Sequence, residues 1–135
     1  MAHWLVKSEP GTWSWDQHQK GGDDAWTGVR NHQAKLYLAA MKKGDPVLFY
    51  HSGDDKAVVG VTKVVKPAYP DPTDATGKFV AVDLKASKAL KHPVPLTAIK
   101  AQKALADMVL VKNSRLSVQP VTDAEWEKIV KMGES

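Results

Sequence analysis

The sequence predicts a single α+β domain over residues 1–135, built on a mostly antiparallel, barrel-like sheet with flanking helices. Three observations carry this prediction. A chain of 135 residues is the size of one core and should bury roughly two-thirds of its unfolded surface without staples. Short apolar runs, each stopped by Gly, Pro or Asp, recur along the chain and read as strands joined by turns. Segments opening at Asn31 and Thr122 carry helix-capping residues and supply the α component.

Each element has its own justification. His3 to Lys7 is an apolar run that reads as an opening strand, stopped by Ser8-Glu9-Pro10-Gly11. Thr12 is a plausible N-cap for a short helix to about Lys20, closed by Gly21-Gly22. Asp24 to Arg30 then reads as a loop. Asn31 caps a helix to about Lys43, with Ala34, Leu38 and Met41 on one face and Tyr37 beside them. Pro46 to Ser52 reads as a buried strand, and Ala57 to Val65 as its hairpin partner across the tip Gly53 to Lys56. Gly60 in mid-strand predicts a bulge or a close backbone approach. Pro67 to Gly77 reads as a loop.

Phe79 to Ala86 alternates, with Val80, Val82, Leu84 and Ala86 on one face and Asp83 and Lys85 on the other, and Pro93 and Pro95 should end that strand. Leu96 to Ala106 suggests one or two short helices, and Arg115 to Val121 a last strand. Thr122-Asp123-Ala124-Glu125 is a capping box for a terminal helix with Trp126, Ile129 and Val130 inward and Gly133 at its end.

Composition removes several function classes. With no cysteine, a disulfide framework, a thiolate zinc site and a cysteine nucleophile are all excluded. His3, His18, His32, His51 and His92 show no metal-ligand spacing, and the glycines form neither phosphate-cradling fingerprint, so no metal and no cofactor are expected. His51 and Ser52 are adjacent and would point to opposite faces of a strand, and no G-x-S-x-G elbow is present, so no catalytic residue is assigned. No apolar run approaches the roughly 20 residues of a membrane span. Met1-Ala2-His3-Trp4 lacks a signal-peptide pattern, and the cytoplasm or the nucleus is the expected compartment.

The net charge of +4 is unevenly spread. Residues 1–65 hold eight basic and seven acidic side chains, whereas residues 78–115 hold eight basic against Asp83 and Asp107. Lys85, Lys88, Lys91, Lys100, Lys103 and Lys112 in that stretch are candidate phosphate contacts. Of the nineteen basic residues only Arg30 and Arg115 are arginines, the residue type with a planar fork of donors. Both fall in clusters that mix aromatic or apolar residues with donors and acceptors. That mixture suits a flat heterocycle, stacked on a ring and read along its edge by Ser, Asn and backbone groups.

The same clusters carry a family resemblance. Trp4-Leu5-Val6-Lys7-Ser8-Glu9-Pro10, Trp26-Thr27-Gly28-Val29-Arg30-Asn31, Gly44-Asp45 through Leu48-Phe49-Tyr50-His51-Ser52, Ala68-Tyr69-Pro70-Asp71 and Arg115 through Val121 follow one another in an order that resembles EVE domains, the group of the thymocyte nuclear protein and small bacterial members. The resemblance runs from residue 3 to the Glu125-Trp126 helix. It implies a PUA-like fold, related to YTH and ASCH domains, and a reader of a modified base, above all modified cytosine in DNA. A monomer is expected, and the aromatic side chains suit a base flipped into a pocket. The resemblance implies base-binding roles for Trp4, Lys7, Ser8, Trp26, Val29, Arg30, Asn31, Tyr50, His51, Ser52, Arg115 and Ser117. Edge contacts from Ser8, Asn31 and Ser52 and stacking on Trp26 follow from side-chain chemistry as well. The loop from Asp71 to Lys78 departs from versions with an aromatic-rich insertion, which puts a contact to the flanking strand in doubt.

Three readings stay open at this point. The first is the reader of a modified base in DNA or RNA. The second is an aromatic cage for a methylated ammonium, with Glu9 or Asp71 as its carboxylate, disfavoured by the nearby arginines. The third is an enzyme acting on a base or nucleotide with His51 as acid or base.

Overall fold

A computed structural model of the chain describes residues 2–9, 11, 13–21, 23–53, 55–113 and 116–134. The element order is β1 (His3–Ser8), α1 (Trp15–Gly21), β2 (Asp23–Trp26), α2 (His32–Ala40), β3 (Pro46–His51), β4 (Ala57–Pro70), β5 (Val80–Pro95), α3 (Leu96–Lys100), a 3₁₀ turn (Lys103–Leu105), α4 (Val109–Lys112), β6 (Val118–Val121) and α5 (Asp123–Glu134). The six strands form one sheet in the order β2-β5-β4-β3-β1-β6. Only β1 and β3 run parallel; the other ladders are antiparallel.

The ladder ends at β2 and β6, and no backbone pairing joins those two among the described residues, so the sheet is open and not a closed barrel. It is rolled nonetheless. Trp26 on β2 and Phe49 on β3 are three strands apart in the ladder, which in a flat sheet would separate them by roughly 14 Å. Their ring centroids lie 5.7 Å apart. Trp26 also packs into one core with Val6 of β1 and Val118 of β6. Register shifts in β4 against both neighbours supply the bends that such rolling needs. The gap between the two sheet ends is where the cleft opens.

β1 and β3 are buried on both faces, which is why their sequences show apolar runs without alternation. Leu5, Leu48 and Tyr50 face outward into a core shared with Ile99, Leu105, Met108 and Ile129, under the helices. Trp4, Val6 and Val47 face inward with Leu38, Val64, Val82 and Leu84. Gly60 lies on that inner face beneath Trp15: a Cβ there would stand 2.4 Å from the indole, so the expected close approach is real, and the ladder also shifts register beside it.

Several boundaries move, for identifiable reasons. Asp24 to Arg30 is not all loop, because residues 23–26 pair with β5 as β2 despite the low strand propensity of two aspartates. Pro67 to Pro70 belong to β4 and Pro93 to Pro95 to β5, where prolines were expected to stop both. β3 and the Gly44–Asp45 turn occupy the far edge of β4 only as far as Val64, and β2 covers β5 only from Val82 to Lys85. Beyond those limits each strand has a free edge, where a missing N–H costs little. The helix from Asn31 stops at Ala40, short of Lys43, but Asn31 does cap it, accepting from the Ala34 N–H at 2.9 Å.

Thr12 lies outside the described residues. The start of α1 is organised by Ser14 and Gln17, which exchange hydrogen bonds as a capping box (2.8 and 3.2 Å). The last strand begins at Val118, and Arg115 lies outside the described residues. The Thr122–Glu125 capping box forms as expected. Gly133 does not end α5; it lies buried within it, 2.8 Å from Leu90 if a Cβ were added. The short helix α4 had no sequence signal of its own.

Candidate functional site

A cleft of about 570 Å³ opens at the seam of the rolled sheet, within the range of roughly 300–1,000 Å³ usual for small-molecule sites. One wall is the end of β1, Lys7 to Glu9, with Ser117 leading into β6 and Trp13 from the following loop. The facing wall is Asp24 to Asn31, the end of β2 and the loop into α2.

Trp26 forms part of this second wall while its ring is held from behind. His18 and Phe49 meet it edge-on at 6.3 and 5.7 Å. Phe49 is fully buried and also touches Trp15 and His51, so a continuous aromatic layer backs the cleft. The loop after Trp26 turns at Gly28, whose φ of 82° favours glycine.

That loop is anchored by Asp71. The Asp71 carboxylate accepts from Gly28 N–H (2.8 Å) and from Arg30 Nη1 (3.0 Å), and its other oxygen from the Thr73 N–H and hydroxyl. Burial by itself would raise the Asp71 pKa. The Thr73 hydroxyl, the N–H groups of Gly28 and Thr73, and the Arg30 guanidinium outweigh it and hold the carboxyl well below the ordinary range. Arg30 further donates to Thr73 Oγ1 and lies over the Phe79 ring at 5.3 Å. Asp74 organises the loop from 71 to 78, accepting from Thr76, Lys78 and Phe79; the Thr76 hydroxyl first, with these N–H groups, holds its carboxyl at about 2 against burial. Tyr69 donates to Asp83 across the β4–β5 ladder.

Seven of the twelve base-binding candidates line the cleft: Lys7, Ser8, Trp26, Val29, Arg30, Asn31 and Ser117. Their hydrogen-bonding capacity is partly committed. The Ser8 hydroxyl donates to the Trp13 carbonyl, leaving it an acceptor toward the cleft. Asn31 Oδ1 is used in capping α2, so its amide N–H₂ is the group it can offer to a ligand. The Lys7 ammonium lies 5.7 Å over the Tyr50 ring, and burial lowers its pKa. Arg30 is engaged by Asp71 and Thr73, which makes it a holder of the wall.

Four candidates lie behind the lining. Trp4 is 6% exposed and donates its indole N–H to Asp45 at 3.0 Å. Tyr50 is buried in the outer core. His51 accepts the Trp15 N–H on Nε2 at 2.9 Å, so its proton lies on Nδ1, toward Asp55 at 3.0 Å. Its basic nitrogen is therefore occupied. Ser52 donates its backbone N–H to the Ser8 carbonyl and steadies the β1 end. None of the six lysine candidates lines the cleft; Lys88 pairs with Glu134 (2.7 Å) and Lys112 with Asp107 (3.0 Å).

Sequence reasoning did not assign Glu9, Trp13, Asp24, Ala25, Thr27 and Gly28 to the base-binding site, although all line the cleft. Nothing local separates Trp13 from Trp15: one lines the cleft and the other is buried against Phe49, a difference that only the packing decides. Asp24 carried no local signal, because its role depends on His18 from another element. Among the described residues no group of three or more His, Asp or Glu side chains could hold a metal ion.

The architecture defines a class first: a small rolled-sheet α+β domain sharing its fold with the YTH domain of the MRB1 protein of Zygosaccharomyces rouxii (TM-score 0.60, 17% identity, covering 99% of this chain and 87% of that one), a likeness of fold alone. The EVE domain model matches residues 2–132, and the chain belongs to the EVE domain family. Human thymocyte nuclear protein 1 is 33% identical over 98% of this chain and 74% of its own length. The NMR structure of Rpa0253 from Rhodopseudomonas palustris is 59% identical, with a TM-score of 0.94 over 98% of this chain and 93% of that one. The crystal structure of human THYN1 in complex with 5-methylcytosine-containing DNA is 31% identical, with a TM-score of 0.92 over 100% and 99%.

Proposed function

We propose that this chain binds nucleic acid by taking a modified base, 5-methylcytosine or a close relative in DNA, into the seam cleft, and that it does so without a cofactor and without altering the base. The observation that carries this reading is Trp26, presented in a cleft of base-accommodating size and held from behind by Phe49 and His18. A ring immobilised in this way loses little freedom when a base stacks on it, and such stacking contributes about 1–3 kcal/mol. Trp13 supplies a second indole to the same cleft. The relation to human THYN1, crystallised with 5-methylcytosine-containing DNA, supports the choice of ligand.

The base would have to leave the duplex stack to enter the cleft, and a base already in a single strand enters at lower cost. Exposed lysines away from the cleft supply phosphate contacts that do not depend on sequence. An enzymatic role for His51 is disfavoured because its Nε2 lone pair is occupied by the Trp15 N–H.

Binding of fluorescent single-stranded oligonucleotides that differ at one position, 5-methylcytosine or cytosine, tests the reading. The wild-type chain should prefer the methylated base, and Trp26→Ala should abolish binding of either at moderate salt. Equal affinity of wild type for both would reject the modified-base reading.

A further inference from the structure

We infer that the Asp24 carboxylate is the specificity-determining acceptor of the cleft, admitting a base with an exocyclic amine and rejecting one with a carbonyl at the same ring position. This rests on the base-binding reading above and names how the site would make a choice that methyl recognition cannot. 5-Methylcytosine and thymine carry the same methyl group at C5. They differ at C4, an amine in one and a carbonyl in the other, and at N3, which accepts in 5-methylcytosine and carries a hydrogen in thymine. A pocket that felt only a flat ring and its methyl group would accept both, and thymine is abundant in DNA. An acceptor placed at C4 makes the choice, since it pairs with the amine and is left facing a carbonyl oxygen with thymine.

Asp24 is placed for that task. It lies two residues before Trp26 on β2, on the same strand face, about 7 Å along the strand. Both residues line the cleft, and the Asp24 side chain retains 15% exposure. The edge of a ring stacked on Trp26 therefore comes within reach of Asp24.

The orientation of the carboxylate is set by His18, which is fully buried and stacked on Phe49 at 5.1 Å. The Thr62 hydroxyl donates its single proton to the Lys85 carbonyl at 2.7 Å, so it accepts from His18 Nε2–H at 2.8 Å. His18 Nδ1 is hydrogen-bonded to Asp24 Oδ2, which places one proton on one of the two atoms. Whichever of the two atoms holds that proton, Asp24 Oδ1 carries none and is an acceptor. Oδ1 also lies over Gly21, where any Cβ would stand 2.8 Å from it. Glycine at that position leaves room for the carboxylate. His18 and Gly21 are positioning residues for Asp24.

The experiment is a competition series with single-stranded oligonucleotides carrying 5-methylcytosine, thymine or cytosine at one site. Wild type should bind 5-methylcytosine about tenfold more tightly than thymine, as expected when one base gains a hydrogen bond and the other leaves the acceptor unpaired. Asp24→Ala should bring that ratio close to one while keeping the preference of 5-methylcytosine over cytosine. In Asp24→Asn the amide N–H donates to His18 Nδ1 and the amide oxygen remains an acceptor in place of Oδ1, so most of the ratio should return. Gly21→Ala displaces the carboxylate without removing it and should lower the same ratio, which decides the matter should Asp24→Ala not fold. A folded Asp24→Ala protein that still rejects thymine would overturn the assignment. Equal binding of 5-methylcytosine and cytosine, with thymine rejected by wild type and accepted by Asp24→Ala, would support the acceptor role of Asp24 and overturn methyl reading.

Discussion

The outer and inner faces of β1 and β3 are both buried, and they are packed on different principles. Outside, Leu5 and Leu48 meet Ile99, Leu105, Met108 and Ile129, hydrocarbon against hydrocarbon. Inside, behind the cleft, Phe49 meets Trp15, Trp26, His18 and His51, and the two histidines are each fixed by hydrogen bonds at both ring nitrogens. Apolar burial stabilises without dictating orientation, whereas satisfied polar networks hold side chains in one arrangement. Both faces of this pair of strands stabilise the fold, but only the inner one also fixes the geometry of the site. A binding cleft needs oriented walls, and the inner face supplies them.

The largest effect should come from removing the centre of the inner face. Phe49→Ala should cost about 3–5 kcal/mol in urea denaturation, and Ile129→Ala on the outer face about 2–5 kcal/mol. The two should part in binding: under conditions where both are folded, Phe49→Ala should lose oligonucleotide affinity and Ile129→Ala should keep it. If both variants bind like wild type, the division between the faces does not hold.

A smaller effect sharpens the comparison at the wall. Asp71→Asn should cost about 1–3 kcal/mol, because Arg30 and the Gly28 N–H lose a charged acceptor. Its pH dependence has a definite sign. The folded-state pKa of Asp71 is depressed, so the folded state binds fewer protons than the unfolded chain and the stabilisation is full above the unfolded pKa, near 4. It is lost progressively as pH falls below about 4 toward the folded value. Stability measured between pH 6 and pH 2.5 should therefore fall more steeply in wild type than in Asp71→Asn; parallel curves would remove Asp71 as the anchor. The smallest effect lies far from the cleft: Thr122→Ala should cost about 1 kcal/mol by loss of the α5 cap, with unchanged oligonucleotide binding. A binding change there would show that α5 reaches the site.

Where a signal is local, the sequence was legible. Asn31 and the Thr122–Glu125 box cap the helices they were expected to cap, and Gly60 marks the close approach its position suggested. The hairpin from β3 to β4 closes across the expected tip. Signals failed where a partner elsewhere changes the meaning of a residue. Pro67 and Pro93 stop nothing because β3 ends before Pro67 and β2 before Pro93, which leaves one edge unpaired at each. Arg30 does line the cleft as expected, but that its guanidinium is engaged by Asp71, forty-one residues later, was not legible locally. The residues of the EVE motif series divide between cleft lining and the layer behind it, since motif membership does not separate a contact from its support.

The sequence by itself determined the EVE family membership, the α+β class, the caps at Asn31 and Thr122 and the exclusion of thiol chemistry, because these reside in residue types and short spacings. The tertiary structure alone decided that the sheet rolls without closing and that the cleft lies in the remaining gap. It also decided that Trp13 and Asp24 face that gap while Trp4, Tyr50 and His51 lie behind it. The physical reason is that rolling brings β2 against β1 and β3, strands far apart in the ladder, and creates contacts such as Trp26–Phe49 that no local pattern encodes. Asp24 shows the same principle at one atom, where a carboxylate becomes a directed acceptor because a buried histidine from another element holds its other oxygen.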